Sequence, residues 1–409
     1  GDTLYFAFCY PQSYEECQAN LVALDSRFGN RAVVPSTVRL ASLYYARELL
    51  THSLDGRRMD LITISSLEGM QAEREAYLPG LFPDRDDPAT QRPNTFSGKR
   101  VVFISSRVHP GETPSAHVFD GVLDTLTRLD DPRTQRLLSM FVFKLVPMLN
   151  PDGVARGHYR ADQRGVNLNR CYVDPNPATE PTVFAAKSVV VDYHMQGILH
   201  MYLDLHAHAT KRGCFLYGNH LPTLEPQVWN VLYARLVSLH CPFLDFGACN
   251  FSEKNMKAKD KRDKGVSKEG SGRVAVYNAT NLTHVYTLEC NYNTGRATDA
   301  KPAAASDHGR ASPPRAAATT VPKYTPEHWQ EVGQACLLAL LELERANPWS
   351  RVPRSTFKTL EGALAHTERL VSLEAPYREQ KREKGRKPSS RSLGSAGSRQ
   401  STRKMSPRS

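Results

Sequence analysis

His109-Pro-Gly-Glu112 sets two metal-ligating side chains three residues apart, across two residues that break regular structure. The motif closes the β-branched run RVVFISS (100–106), so Pro110 and Gly111 fix a turn that can aim both side chains at one point. A polar loop between a strand and a helix would carry the same residues, and alone the pair is close to what chance supplies. In DLHAHAT (204–210), His206 and His208 alternate along a strand and share a face. A core histidine accounts for one of them, but a neutral imidazole at a strand end also suits zinc as a third protein ligand. Two ligands close in sequence plus a distant third is the pattern of catalytic zinc, whose fourth position is kept for water. Glu289 ends the apolar run VYTLEC, where leaving even a neutral polar group unpaired costs roughly 2–7 kcal/mol. It is therefore expected to be paired, metal-facing or proton-transferring. As general base it would act on a water whose pKa a metal lowers to about 7. NPDGVARGHYRADQRGVNLNRCY (150–172) carries Arg156, Arg160, Arg164 and Arg170, with Asn169 beside the last. Arginine binds carboxylates in bidentate fashion, although a solvated basic loop is the plainer reading of that segment alone.

The elements that must position these residues are legible as apolar runs. RVVFISS, FVFKLVPML (141–149), LHMYLDLHA (199–207) and HVYTLEC (284–290) read as buried strands. SAHVFDGVLDTLTRL, VWNVLYARLVSL and HWQEVGQACLLALLELE have helical spacing. Alternation of strand and helix predicts an α/β fold: a mixed, mostly parallel sheet flanked by helices, with functional residues just beyond the strand ends. ATDAKPAAASDHGRASPPRAAATTVP (297–322) has no periodicity and is expected to be a flexible insertion. Residues 351–409 are Ser/Arg/Lys-rich and are expected to be a disordered tail.

The chain has 409 residues and a formal net charge of +11. Residues 351–409 hold fifteen Lys/Arg against five Asp/Glu, so the part before them is nearly neutral. That distribution speaks against a protein built as a whole to grip nucleic acid. No apolar run is long enough to span a bilayer, and the first residues lack the features of a signal peptide. Eight scattered cysteines, with no C-x-x-C pair, read as reduced thiols of a cytosolic protein; a secreted protein with a few disulfides is the alternative.

HPGE, NPDGV…GHYR, GVNLNR, DLHAH and YTLECNYNTGR come in the order that resembles zinc metallocarboxypeptidases of the M14 type. Among these the chain is most similar to the cytosolic carboxypeptidases, enzymes that trim glutamates from tubulin. FAFCYPQSYEECQ, NFSEKNM and SKEGSGRVAVY resemble the type-five branch of that group. The resemblance implies one zinc ion held by His109, Glu112 and His206, with Glu289 as general base. It implies that Arg160 polarises the scissile carbonyl and that Asn169 and Arg170 clamp the terminal α-carboxylate. Tyr277 stands where the superfamily often has a mobile tyrosine over the terminal residue. Many relatives carry aspartate where this chain has Asn167; asparagine can still accept a hydrogen bond from the first zinc histidine, without the charge. The implied organisation is a remnant of a preceding β-sandwich domain over residues 1–10, with Leu4–Cys9 as its last strand. A zinc carboxypeptidase-like catalytic domain follows over 11–350.

Glutamate specificity needs positive charge in the pocket of the leaving residue. Residues 251–273 hold eight Lys/Arg against four Asp/Glu, and Lys268 and Arg273 are the candidates for the side-chain carboxylate; an exposed charged loop is the competing reading. The function expected is removal of C-terminal or branch-point glutamates from polyglutamylated tubulin and similar acidic tails. Such an enzyme would be a cytosolic monomer associated with microtubules, with no nucleic acid or membrane partner. The basic tail would add affinity for microtubules or carry a nuclear address. The alternatives are a catalytically silent binder of acidic chain ends and an amidohydrolase acting on N-acyl amino acids.

Overall fold

Helices cover both faces of the central sheet, which is why its strands read as nearly unbroken apolar runs. The computed structural model describes residues 6–29, 43–87, 90–260, 265–306, 314–374 and 377. The strands are β1 (Leu43–His52), β2 (Arg58–Ser66), β3 (Met70–Arg74), β4 (Asn94–Phe96), β5 (Arg100–Ser106), β6 (Phe141–Val146), β7 (Leu199–His208), β8 (Cys214–Tyr217), β9 (Lys259–Asp260), β10 (Val266–Ser267) and β11 (Val285–Asn291). Seven of them form one sheet in the order β1-β2-β6-β5-β7-β11-β8. Pairing is parallel among β6, β5, β7 and β11, and antiparallel at β1/β2, β2/β6 and β11/β8. The helices are α1 (Tyr14–Leu24), α2 (Thr113–Thr127), α3 (Pro132–Met140), α4 (Pro151–Ala155), α5 (Pro181–Met195), α6 (Leu224–His240), α7 (Glu253–Met256), α8 (Gly272–Thr280), α9 (Pro326–Leu343) and α10 (Leu360–Ser372).

Successive strand residues serve opposite faces. Val102 and Ile104 of β5, Leu203 and Leu205 of β7, and Leu288 of β11 pack with α2, α6 and α9. Val101 and Phe103, Tyr202, and Val285 pack with α5 and α8. The second face is also that of Asp204, His206, Thr287 and Glu289, where apolar residues give way to polar ones toward the strand ends. Helices α2 and α9 touch backbone to backbone: a Cβ on Gly333 would collide with the Val118 carbonyl oxygen.

The four strands and three helices expected from periodicity are present, with shifts of a few residues at their ends. The β1–β2 hairpin, β8 and α10 are additions. The expectation that residues 351–409 lack structure fails over their first part. There α10 lays Leu360, Ala363 and Val371 into the core shared with α6, and Tyr377 is buried, bonded to His220 Nδ1 (2.7 Å) and to the Leu221 carbonyl. Thr359 caps α10 by accepting from Gly362 N–H (2.9 Å). The reason is a short apolar stripe that the Ser/Arg/Lys content of the rest obscured. Residues 375–376 and 378–409 lie outside the described residues. The 297–322 insertion is likewise tied down where it is described. Thr298 pairs with Ala318 and Lys301 with Arg315, and Lys301 Nζ meets Glu331 at 2.5 Å, a buried ammonium fixing a segment without periodicity. Phe6–Cys9 is not a strand, and residues 1–5 lie outside the described residues. Among the described residues no helix is long and apolar enough to cross a membrane.

Removing the Tyr377 ring should cost more than removing its hydroxyl. Tyr377→Ala is expected to lose about 3 kcal/mol of stability and Tyr377→Phe about 1 kcal/mol, read by urea unfolding.

Candidate metal centre and substrate cavity

Strand β5 ends at Ser106, and the turn that follows delivers His109 and Glu112 beside the end of β7. Glu112 stands at the N-cap position of α2, yet its carboxylate caps nothing. It turns inward, where Oε1 meets His109 Nδ1 at 2.8 Å and Oε2 meets His206 Nδ1 at 2.9 Å. Ala207 N–H donates to the same Oε2 at 2.9 Å. The positive end of α2 favours a carboxylate at this place. All three side chains are buried, and their ligand atoms lie within 4.8 Å of one another.

The outer ring nitrogens are held by a second set of oxygens. His109 Nε2 lies 3.0 Å from Asn167 Oδ1, and His206 Nε2 lies 2.7 Å from Asp204 Oδ2. Ser105 Oγ in turn donates to Asp204 Oδ1 at 2.8 Å. Each Nε2 therefore carries the proton and each Nδ1 is left facing the carboxylate, the tautomer a metal ligand needs. Asn167 also accepts from Asn169 N–H at 3.0 Å, so one amide oxygen orients both a ligand and the 3-10 turn Leu168–Arg170. Two imidazoles and one carboxylate, each oriented from behind, fit a zinc ion with three protein ligands. Burial works to raise the Glu112 carboxyl, but His109 and His206 outweigh it and hold it well below the usual range. Burial lowers His109, while for His206 it is overcome by Asp204 and Glu112, which raise it.

The parallel register sets Glu289 of β11 directly beside His206 of β7, on the same face. Burial pushes the Glu289 carboxyl up to about 8, against the lowering pull of His206. Both residues line a cavity of about 330 Å³ together with Arg160, Asn169, Arg170, His208, Lys259, Lys268 and Arg273. Arg160 Nη1 lies 3.4 Å from His109 Nδ1 and 3.6 Å from Glu112 Oε1, at the metal end. Asn169 Oδ1 accepts from Gly272 N–H at 2.9 Å, which leaves its amide as the donor, and Arg170 Nη1 donates to the Asn169 carbonyl at 2.7 Å. Arg273, near the start of α8, is buried and donates to Gly218 O (2.5 Å), Asn219 Oδ1 (2.7 Å) and Asn255 Oδ1 (2.9 Å). Lys268 Nζ lies 5.5 Å from the Tyr217 ring centroid.

Tyr277 is the exception among the residues singled out from the sequence. It lies one helical turn beyond Arg273 on α8, about 6 Å farther along the axis. There it is half-buried against the cluster formed by α5 and α8, and it does not line the cavity. Tyr159 and Tyr217 line it instead. Tyr159 is in the GHYR motif and Asp204 alternates with His206, so both were within reach of the sequence. Tyr217 gave no signal, because β8 is a four-residue strand.

Residues 45–211 match the family described as zinc carboxypeptidase. That segment holds His109, Glu112, Arg160, Asn169, Arg170 and His206, and ends before Arg273 and Glu289. The chain is 44% identical over 457 residues to a cytosolic carboxypeptidase-like protein 5 of Danio rerio, covering 88% of this chain and 51% of that one. With the Homo sapiens protein of that name it is 43% identical over 445 residues, covering 88% and 50%. Cytosolic carboxypeptidase 6 of Caenorhabditis elegans is 32% identical over 302 residues, covering 73% and 55%. The chain thus spans about half the length of the curated relatives it matches. Among solved structures, a metallo-carboxypeptidase from Burkholderia cenocepacia superposes with a TM-score of 0.52 at 20% identity, covering 82% of this chain and 70% of that one. One from Pseudomonas aeruginosa gives 0.51 at 19%, covering 81% and 69%. These two share the fold.

A Cβ on Gly111 would stand 2.8 Å from the Tyr159 carbonyl oxygen and 2.9 Å from its ring, displacing the turn that carries both ligands. Gly111→Ala is expected to weaken zinc binding at least about tenfold, measured by zinc content after dialysis against graded chelator.

Proposed function

The chain carries a zinc carboxypeptidase domain of the M14 family, and on that premise we propose that it hydrolyses C-terminal or branch-point glutamates from polyglutamylated acidic protein tails, tubulin's among them. The observation that carries this reading is the charge of the cavity. Arg160, Arg170, Lys259, Lys268 and Arg273 line it, and among the described residues the acids that line it are Glu112 and Glu289, at the metal end.

Zinc held by His109, Glu112 and His206 would supply a Lewis acid that lowers the pKa of a water to about 7. Glu289, beside His206, takes the proton of the attacking water and passes it to the leaving amine. Arg160 faces the place where negative charge develops on the carbonyl oxygen, a position from which a fixed donor contributes about 3–4 kcal/mol. Asn169 and Arg170 receive the terminal α-carboxylate, which restricts the reaction to chain ends. Lys268 and Arg273, which also line the cavity, receive the side-chain carboxylate of the leaving residue. Arg273 is held by three oxygens at its own site, so its charge is pre-placed, while Lys268 reaches in from the cavity wall.

The proposed place of action is the cytosol and its microtubules. The word cytosolic in the names of the matched relatives and eight cysteines that are all free support the first of these. The basic residues of 351–409 would add attraction to acidic surfaces, and entry into the nucleus is a second use for them.

Glu289→Gln is expected to keep zinc at one per chain and to lose at least about a thousandfold in glutamate release from a polyglutamylated peptide; undiminished release would remove Glu289 from the mechanism. Lys268→Ala and Arg273→Gln should each cut the preference for glutamate over an uncharged C-terminal residue about tenfold or more, compared as kcat/KM. Turnover of a branched, a linear and an N-acyl glutamate substrate side by side separates branch-point from chain-end cleavage, and both from amidohydrolase activity.

A further inference from the structure

We propose that Arg107 is a positioning residue for the metal centre, its guanidinium fixing the peptide that joins the two ligands of the HPGE turn. Strand β5 ends at Ser106, and the chain must reverse at once to bring His109 and Glu112 to the same point. Arg107 makes that reversal at φ 58°, in the left-handed region that disfavours every side chain of its shape. Its own side chain then folds back over the turn. Nε and Nη2 both donate to the Pro110 carbonyl oxygen, at 3.0 and 2.7 Å, and Nη1 donates to the Gln12 carbonyl oxygen at 3.2 Å.

The Pro110–Gly111 peptide is therefore clamped at both edges. Arg107 holds its carbonyl, and the Tyr159 carbonyl accepts its N–H at 2.9 Å. That single plane lies between His109 and Glu112, so its rotation would swing one ligand away from the other. All three hydrogen bonds described for the buried guanidinium go to backbone oxygens. Burying a cation is costly, here offset in part by the Glu112 and Asp120 carboxylates acting on it through space, and strained backbone is retained where the surroundings over-determine it. The turn is what Arg107 over-determines.

This inference rests on the zinc centre of the proposed function and not on the choice of substrate, and its test reads zinc affinity. Arg107→Gly removes the guanidinium while relieving the left-handed backbone, and Arg107→Lys keeps the charge but loses the fork. In equilibrium competition with a chromophoric chelator, Arg107→Gly is expected to bind zinc about ten- to a hundredfold more weakly than the parent. Arg107→Lys should fall between them. Millimolar guanidinium ion should restore the affinity of Arg107→Gly and leave the parent unchanged. Parental zinc affinity in the variants would overturn the proposal. So would a loss of affinity that guanidinium does not reverse and that follows a fall in the melting temperature of the metal-free protein. If Arg107→Gly does not fold, Arg107→Lys decides by the same measure. A parent chain that takes up no zinc would instead remove the zinc centre itself.

Discussion

One carboxylate joins the three pieces of chain on which the site depends. Glu112 meets both imidazoles and takes the Ala207 N–H, and so connects the turn after β5, the start of α2 and the end of β7. A buried carboxylate is tolerable only with such a set of partners. Each histidine is fixed from its other side, by Asn167 and by Asp204, so neither can turn away to seek another partner. His109, Glu112 and His206 are thus held together from behind by the protein's own contacts, as a zinc site with three protein ligands requires.

The parallel sheet makes this arrangement possible. Parallel strands end at the same edge, and crossover helices return each strand so that its last residues meet those of its neighbours. His206 and Glu289 come from strands whose register puts them side by side, although 83 positions separate them in the chain. The apolar half of each strand, buried between α5/α8 and α2/α6/α9, supplies the cohesion that holds polar groups at the other end. Cations then enter from loops: Arg160 and Arg170 after β6, Lys268 and Arg273 at the entry to α8. Charge is concentrated in the cavity, while the body of the chain before residue 351 is almost neutral.

How far the sequence could be read depended on the kind of signal. The four central strands were legible because burial on both faces makes them continuous apolar runs. His109, Glu112, His206 and Glu289 were legible because each stands at or just past the end of such a run. Tyr277 was placed by resemblance alone, and the structure sets it one turn beyond Arg273 on α8, outside the cavity lining. The disorder expected from residue 351 onward was a misreading over residues 351–374, because composition averages over a segment, and one stripe of Leu360, Ala363 and Val371 is enough to dock a helix. Asn167 was readable as a hydrogen-bond acceptor, and its geometry agrees, since one amide oxygen serves both His109 and Asn169.

By itself the sequence determined the fold class, which follows from local residue types and from periodicities of two and 3.6. The ligand set came from the resemblance of its ordered motifs to zinc carboxypeptidases, because spacing alone left His206 and His208 equivalent. Only the tertiary structure decided which groups share the cavity, how the imidazole tautomers are fixed, that Arg273 is held in place by Gly218, Asn219 and Asn255, and that Arg107 clamps the turn. Those are contacts between segments far apart in the chain, or depend on the direction of a side chain, and neither is encoded in spacing.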